Sequence, residues 1–537
     1  MSNFKLKNSF DAIIVGAGFS GLYMLYKLRE MGLSVCVLEA ASEIGGTWYW
    51  NRYPGARCDS ESHAYCYTFS KKLTQDWDWS ERYPSQSEVL RYLNYVADRF
   101  ELKRDIKLNS RVIAARFGDE SNLWHIQSEN EDLFTATFLI TAVGCLSAAN
   151  IPDIAGLKNF AGEHYHTSNW PHQGVDFTGK RVGLVGTAST GIQAAPVIAD
   201  TALHLTVFQR TANYSTPSRN RPLTPEERQS FKDNADEIRE LMHSTTNGHP
   251  FVISERKALD TPPDEREAIY EAAWKKGGLQ IRAAFKDLIA SKAANDTAAA
   301  FLIKKIREIV KNPGIADKLT KIDHPYSAKR PPIDTNYFET FNRANVTLAD
   351  IRESPIQEIT VEGIRTASRL YKLDVIVFAT GFDALTGSLL RLNIEGRNSM
   401  SLVKAWSDGP CNYLGLQIAG FPNLFTVTGP GSPSVLCNMP VAIEQHVEWI
   451  ATCITYMRDN KIKRIEPTNA AMDAWVKKVN AAADATLLPT VPHSWYLGAN
   501  IPGKPRVFMP YAGGMARYRK ICADIVDKGY EGFVLSI

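Results

Sequence analysis

Residues 11 to 15 read "DAIIV", a short apolar strand that runs straight into Gly16-Ala17-Gly18-Phe19-Ser20-Gly21. The helix-like "LYMLYKLREMG" follows, and a second strand, "SVCVLE", ends at Glu39, eighteen residues after Gly21. Strand, turn, helix, strand and acid in this order predict a βαβ unit that holds a dinucleotide. Gly16 permits the tight turn, Gly18 lets the backbone approach the pyrophosphate, and Gly21 lets the helix pack on the strand. The helix N-terminus stabilises the phosphates, and Glu39 is placed to bond a ribose hydroxyl. The unit reads as a site for FAD or NAD.

The pattern returns at "RVGLVG", which ends at Gly186 and is followed by Thr187-Ala188-Ser189-Thr190-Gly191, the helix-like "IQAAPVIAD" and a strand "LHLTVFQR". Ala188 stands where the first turn has its middle glycine, which adds a methyl group at the pyrophosphate approach. The second strand ends in Gln209-Arg210-Thr211, so a cation replaces the acid. An arginine suits a 2′-phosphate that an acid would repel, and the second unit reads as an NADP site.

Two dinucleotide sites on one chain predict hydride transfer from NADPH to a flavin. The apolar strands in "FLITAVG" (138 to 144) and "LDVIVFATGFD" (373 to 383) mark the two crossings between the units. Residues 222 to 325 change character, with helix start signals at Thr224-Pro225-Glu226-Glu227 and Thr261-Pro262-Pro263-Asp264, and a helix stop at Gly277-Gly278. The expected fold is α/β, two Rossmann-like domains with a helical insertion. FAD-binding parts span 1–150 and 386–537, NADP-binding parts 151–221 and 326–385, and the insertion 222–325.

A chain of 537 residues exceeds one core and suggests about three or four domains at roughly 150 residues each. A net charge of +3 without basic runs argues against nucleic acid as a partner. The opening "MSNFKLKNSF" has no apolar leader and no segment has a membrane-span length of apolar residues, so the cytoplasm is the expected compartment. The eight cysteines, at 36, 58, 66, 145, 411, 437, 453 and 522, form no CxxC and no metal-ligand spacing. That removes the redox pair a flavin disulfide reductase needs.

Between the two units lies "FAGEHYHTSNWP" (160 to 171), whose Phe160, Gly162, His166, Trp170 and Pro171 follow neither helical nor strand periodicity and read as a connector. Gly162 is expected to allow a bend and Pro171 to stiffen the exit. This stretch matches FxGxxxHxxxWP, and "GGTWYWNRYPGARCD" from Gly45 to Asp59, with Gly46 and Trp48, matches the longer pattern [A/G]GxWx4[F/Y]P[G/M]x3D. On these two motifs the chain resembles the type I Baeyer–Villiger monooxygenases, of the phenylacetone and cyclohexanone monooxygenase kind. "KRPPIDTNYFETFN", "ATGFD", "GPGSPS" and "SWYLGANIPGKPRVFMPY" extend the resemblance along the chain.

The resemblance implies FAD and NADPH as cofactors, ketone and O2 as substrates, and an ester or lactone as product, formed through a C4a-peroxyflavin and a Criegee adduct. It implies no obligate protein partner. It places Arg330 as the cation that stabilises developing negative charge and Asp59 as its acidic partner, and gives His166 a part in coupling domain movement. Arg210, Thr211 and Lys329 would hold NADP, and Trp495 would lie in a loop over the nicotinamide. Flavin-containing monooxygenases that oxidise nitrogen or sulfur are the alternative.

Overall fold

The computed structural model describes residues 8 to 537. Residues 1 to 7, part of the segment read above as lacking a leader, lie outside it. Two parallel-rich sheets organise the chain. The first runs in the order β12-β4-β5-β6-β1-β2-β3, with β13 added beside β6. Its strands are β1 (Ser9–Val15), β2 (Val35–Leu38), β3 (Ile106–Lys107), β4 (Val112–Gly118), β5 (Leu123–Ser128), β6 (Leu133–Thr141), β12 (Ile394–Glu395) and β13 (Leu424–Thr426). β1 pairs in parallel with both β2 and β6, and all four residues of β2 are buried, as expected of strands covered on both faces. β6 divides: Leu133 to Ala136 pair antiparallel with β5, while Leu139 to Thr141 pair in parallel with β13.

The second sheet has five strands, all parallel, in the order β10-β9-β8-β11-β7. They are β7 (Glu163–His166), β8 (Arg181–Val185), β9 (His204–Gln209), β10 (Val346–Asp350) and β11 (Val375–Phe378). β7 lies inside the "FAGEHYHTSNWP" stretch, which was read as a connector. It is an edge strand paired to β11, and its polar residues hid it because an edge strand needs only one ladder and little apolar surface. The chain bends at Ala161 and Gly162, as expected. A Cβ there would stand 2.3 Å from the Asp374 carbonyl oxygen and 2.6 Å from the Phe160 ring. Close packing at the bend requires the glycine as well.

The helix-rich stretch opens as its caps predict. Thr224 and Glu227 form a complete capping box on Pro225–Asp233, and Pro263–Lys276 stops at Gly277, whose φ is +74°. The second start signal is offset, however. Pro262 is the N-cap of that helix, and the Thr261 hydroxyl donates to the Lys257 carbonyl instead. The helices do not share one core. Met242 packs with the core of the first sheet, while Ile306, Val310, Ala316 and Leu319 pack on the second. Tyr270, Trp274, Phe285, Phe301 and Leu302 form a core of their own.

The two crossings between the sheets run side by side. Asn150 N–H donates to Gly381 (2.9 Å), Asp383 N–H to Ala148 (2.8 Å) and Leu385 N–H to Cys145 (2.7 Å). His166 joins them. Its Nδ1 accepts from the Ser168 N–H at 3.2 Å, so its Nε2 carries the proton and donates to Thr380 Oγ1 at 3.2 Å, which donates to the Asn150 carbonyl at 2.6 Å. Burial lowers the His166 pKa and favours this neutral form. Phe160 and Trp170 are buried on opposite sides, in two different cores around the second sheet.

Candidate active site

The first glycine turn is a place where backbones touch. A Cβ on Gly16 would lie 2.6 Å from the Ala142 carbonyl oxygen, and one on Gly21 1.8 Å from the Gly16 oxygen. Gly18 faces Gly46 across the turn, and Gly46, at φ +53°, would bring a Cβ to 2.9 Å from the Gly18 Cα. The sequence motif around Trp48 therefore closes directly on the first turn. Helix α1 (Phe19–Glu30) starts at Gly18 without any side-chain cap, which leaves its first N–H groups for a ligand. Glu39 is buried and accepts from Ala17 N–H (2.6 Å) and Ala41 N–H (2.8 Å). Burial raises its pKa, partly offset by these amides. The indole N–H of Trp48 is buried without a partner among the described residues. Uncapped helix, glycine cradle and unspent donor fit a flavin dinucleotide.

The second turn repeats the backbone with other surroundings. Gly186 (φ +115°) would place a Cβ 2.4 Å from the Ala379 oxygen. Ala188 has φ −88° and ψ −172°, close to the −87° and −164° of Gly18, and it is exposed. Its methyl meets no backbone strain and stands in the open, on the side from which a pyrophosphate would approach. Helix α2 (Ser189–Thr201) again lacks a side-chain cap. Arg210, just past β9, is exposed, and the Thr211 carbonyl accepts from Thr187 Oγ1 at 2.8 Å. Lys329 reaches the same place. Burial lowers its pKa, the Asp323 carboxylate opposes that, and the charges of Arg210 and Arg352 lower it further. Crowded cations of this kind fit a 2′-phosphate. No motif in the sequence marks Arg352. It follows β10, which lies beside β9, so both strands deliver an arginine at the same edge, and it donates to Thr211 Oγ1 at 3.0 Å.

Lys329 and Arg330 are neighbours that serve different places. Pro331 after Arg330 favours extended backbone, in which successive side chains diverge. A short ladder of Thr216-Pro217 with Ile333-Asp334 fixes the segment. Arg330 donates from Nε (2.6 Å) and Nη2 (2.7 Å) to the two oxygens of Asp59, and from Nη1 to the Val435 carbonyl at 3.3 Å. Burial opposes both charges, but each is outweighed by the other: the Asp59 pKa is lowered and the Arg330 pKa raised. The two side chains remain about a quarter exposed, at 27% and 25%.

Other residues missed in the sequence frame this pair. Burial and the nearby Arg330 charge push the His249 pKa down to about 4, so it is neutral at neutral pH. Tyr496 lies beside Arg330, and its burial pushes its pKa up to about 12. Trp495, the residue expected over the nicotinamide, packs on Tyr496 at 4.4 Å between ring centres and is partly exposed. Glu444, on helix α3 (Met439–Asp459), accepts from Thr68 N–H and Oγ1 (both 2.5 Å) and Phe69 N–H (3.1 Å), and so anchors the segment that follows Asp59. No local signal marks His249, Tyr496 or Glu444, because each acts through a partner distant in the chain.

A family model described as pyridine nucleotide-disulphide oxidoreductase matches residues 13–256, a span that includes both glycine turns. All eight cysteines of the chain are free thiols. A Baeyer-Villiger monooxygenase of Pseudooceanicola batsensis is 42% identical, over 98% of this chain and 96% of that one. Phenazine N-monooxygenase PhzNO1 of Lysobacter antibioticus is 41% identical, over 98% and 97%. A crystal structure of OTEMO in complex with FAD and NADP superposes with a TM-score of 0.95 at 44% identity, covering 98% of this chain and 100% of that one. Two dinucleotide cradles without a cysteine pair, and full-length likeness of this degree, place the chain in a family: it belongs to the Baeyer–Villiger monooxygenases, NADPH-dependent flavoenzymes that use FAD.

Proposed function

We propose that this enzyme uses NADPH and O2 to insert one oxygen atom beside the carbonyl of a ketone, giving an ester or lactone, with Arg330 as the residue that stabilises negative charge during the reaction. Bound FAD supplies the redox chemistry, taking a hydride from NADPH and activating oxygen. The observation that carries the reading is the Arg330–Asp59 pair. The fork to Asp59 and the bond to Val435 use three of the five guanidinium N–H groups, which leaves two without a partner among the described residues. Asp59 fixes the plane of the guanidinium, so those two donors are oriented before substrate arrives.

The supporting roles follow from position. Gly16, Gly18, Gly21, Glu39, Gly46 and Trp48 hold FAD, and Gly186, Thr187, Gly191, Arg210, Thr211 and Lys329 hold NADP. Trp495 covers the nicotinamide and His166 couples the two sheets. Residues 1–150 and 386–537 form the FAD unit, 151–221 and 326–385 the NADP unit, and 222–325 a helical wall. Among the described residues no helix is long and apolar enough to cross a membrane. Likeness to a phenazine N-monooxygenase supports heteroatom oxidation as a second activity of the same site.

The test is mass spectrometry of products after incubation with NADPH, labelled oxygen, a ketone panel and a thioether. An ester or lactone with one labelled atom is expected, and sulfoxide alone would replace the reading with the second one. Arg330→Ala is expected to bind FAD and to be reduced by NADPH yet to yield no ester. Normal ester yield from that variant removes the role of Arg330.

A further inference from the structure

A cavity of about 470 Å3 is lined by Asp59 and the buried His249 and also by Arg219, Arg221, Lys275 and Lys276. Its size suits a ligand far larger than a minimal ketone. Its charges are one-sided. Arg82, which also lines it, is paired with Glu61 at 2.6 Å, and Arg221 is paired with Glu227, while Asp59 is taken by Arg330. Arg219, Lys275 and Lys276 have no carboxylate partner among the described residues, and all three are exposed, at the solvent side of the cavity. Burial lowers the pKa of His63 and His249 on the same wall, so neither adds charge at neutral pH.

These cations are held in place by the backbone. Three separate segments meet here: Arg82 N–H donates to the Arg221 carbonyl (3.0 Å), Leu223 N–H to Ser80 (2.9 Å) and Gly278 N–H to Pro217 (2.9 Å). The Arg82 guanidinium donates to the Lys276 carbonyl at 2.7 Å, and Thr216 Oγ1 to the Gly278 carbonyl at 2.8 Å. Gly277 is needed at this junction, since a Cβ would meet the Pro217 carbonyl oxygen at 2.4 Å and Arg219 Cγ at 2.6 Å. Unpaired like charges gathered by a rigid junction around a cleft focus the field and raise the local concentration of anions.

We propose that this cavity selects ketones that carry a remote carboxylate, with the carbonyl on the Asp59 side, toward the Arg330 donors that Asp59 orients, and the carboxylate at Arg219, Lys275 and Lys276. This rests on the ketone-oxidising reading above. The probes are 8-oxononanoate and its methyl ester, which differ in the charge at one end. With the FAD-loaded enzyme and NADPH, kcat/KM for the acid is expected to exceed that for the ester by about tenfold or more, and the ratio to fall as salt rises. The triple variant Arg219→Gln, Lys275→Gln, Lys276→Gln is expected to bring the ratio toward one. A parent ratio near one, or a ratio that neither salt nor the triple variant changes, overturns the proposal. Calorimetric titration of both probes into enzyme loaded with FAD and NADP+ separates the two readings. If neither probe is oxidised but the acid binds selectively and the triple variant loses that selectivity, the ketone chemistry falls and the anion site stands. If the acid binds no better than the ester, the anion site falls whatever the chemistry.

Discussion

The two glycine turns have nearly the same backbone and very different freedom. At the first, Gly18 is pressed against Gly46 from the motif that ends at Asp59. At the second, Ala188 adopts the same angles with its methyl in the open. The dihedral angles at the middle position thus tolerate any L-residue, and the glycine of the first turn is demanded by what stands opposite it. The strand ends differ as well, a buried acid at one and an exposed arginine at the other. A turn shared by two sites therefore says that a dinucleotide binds, while the residues around it say which one.

This contrast can be broken at several points. Gly46→Ala carries the largest effect, since φ +53° and a 2.9 Å approach to the Gly18 Cα both oppose a side chain. The strained angle alone costs on the order of 1 to 3 kcal/mol. The purified variant is expected to lack most of its FAD, as read by absorbance against protein concentration, and full flavin content would show that the two backbones can part. Arg210→Ala comes next. It is expected to raise KM for NADPH roughly 10- to 100-fold and leave KM for NADH nearly unchanged, the equivalent of about 1.5 to 3 kcal/mol for a charged hydrogen bond. Equal losses for both would mean that Arg352 and Lys329 carry the recognition.

A smaller effect separates the strand ends by pH. The buried Glu39 has a raised pKa, so the folded apoprotein holds a proton there that the unfolded chain gives up near the ordinary value of 4.5. Its contribution to stability is complete below that value and declines as pH rises toward the folded pKa. Glu39→Gln is expected to flatten the fall of apoprotein melting temperature above pH 4.5, whereas Arg210→Gln keeps the parent slope. The smallest effect is Ala188→Gly. Its NADPH KM is expected to stay within about threefold of the parent, because glycine is as good an N-cap as alanine or better. A large gain in affinity would show that the methyl does obstruct the pyrophosphate.

Local signals in the sequence carried much of the architecture. The run from Ser9 to Glu39 reads directly as strand, turn, helix and strand, because each element depends on neighbours a few residues away. The capping box at Thr224 is legible for the same reason. Thr261 misled because the two prolines after it shift the helix start by one residue. β7 was hidden since its partner β11 lies more than two hundred residues away and its own residues are polar. At the site, family motifs located Arg330 and Asp59, but no motif shows that the two side chains form a fork. Arg352, His249 and Tyr496 gain meaning only when β10, the helical wall and the C-terminal segment are folded around them.

The meeting of both crossings at His166 has a mechanical consequence. Two bodies tethered at well-separated points are locked, whereas tethers gathered at one point leave a turning motion free. Here both passages of the chain run as one ribbon, and the Ser168, His166, Thr380 and Asn150 relay clasps it. The relay ties one crossing to the other, and further contacts lie away from it: Tyr53 donates to Gln193 on α2 at 2.8 Å, and Arg330 is forked to Asp59. A turn of one sheet about the ribbon is therefore expected to part the Gln193 and Arg330 contacts before the ribbon itself, and a chemical cross-link placed far from the ribbon is expected to arrest such a turn where one placed at the ribbon would not.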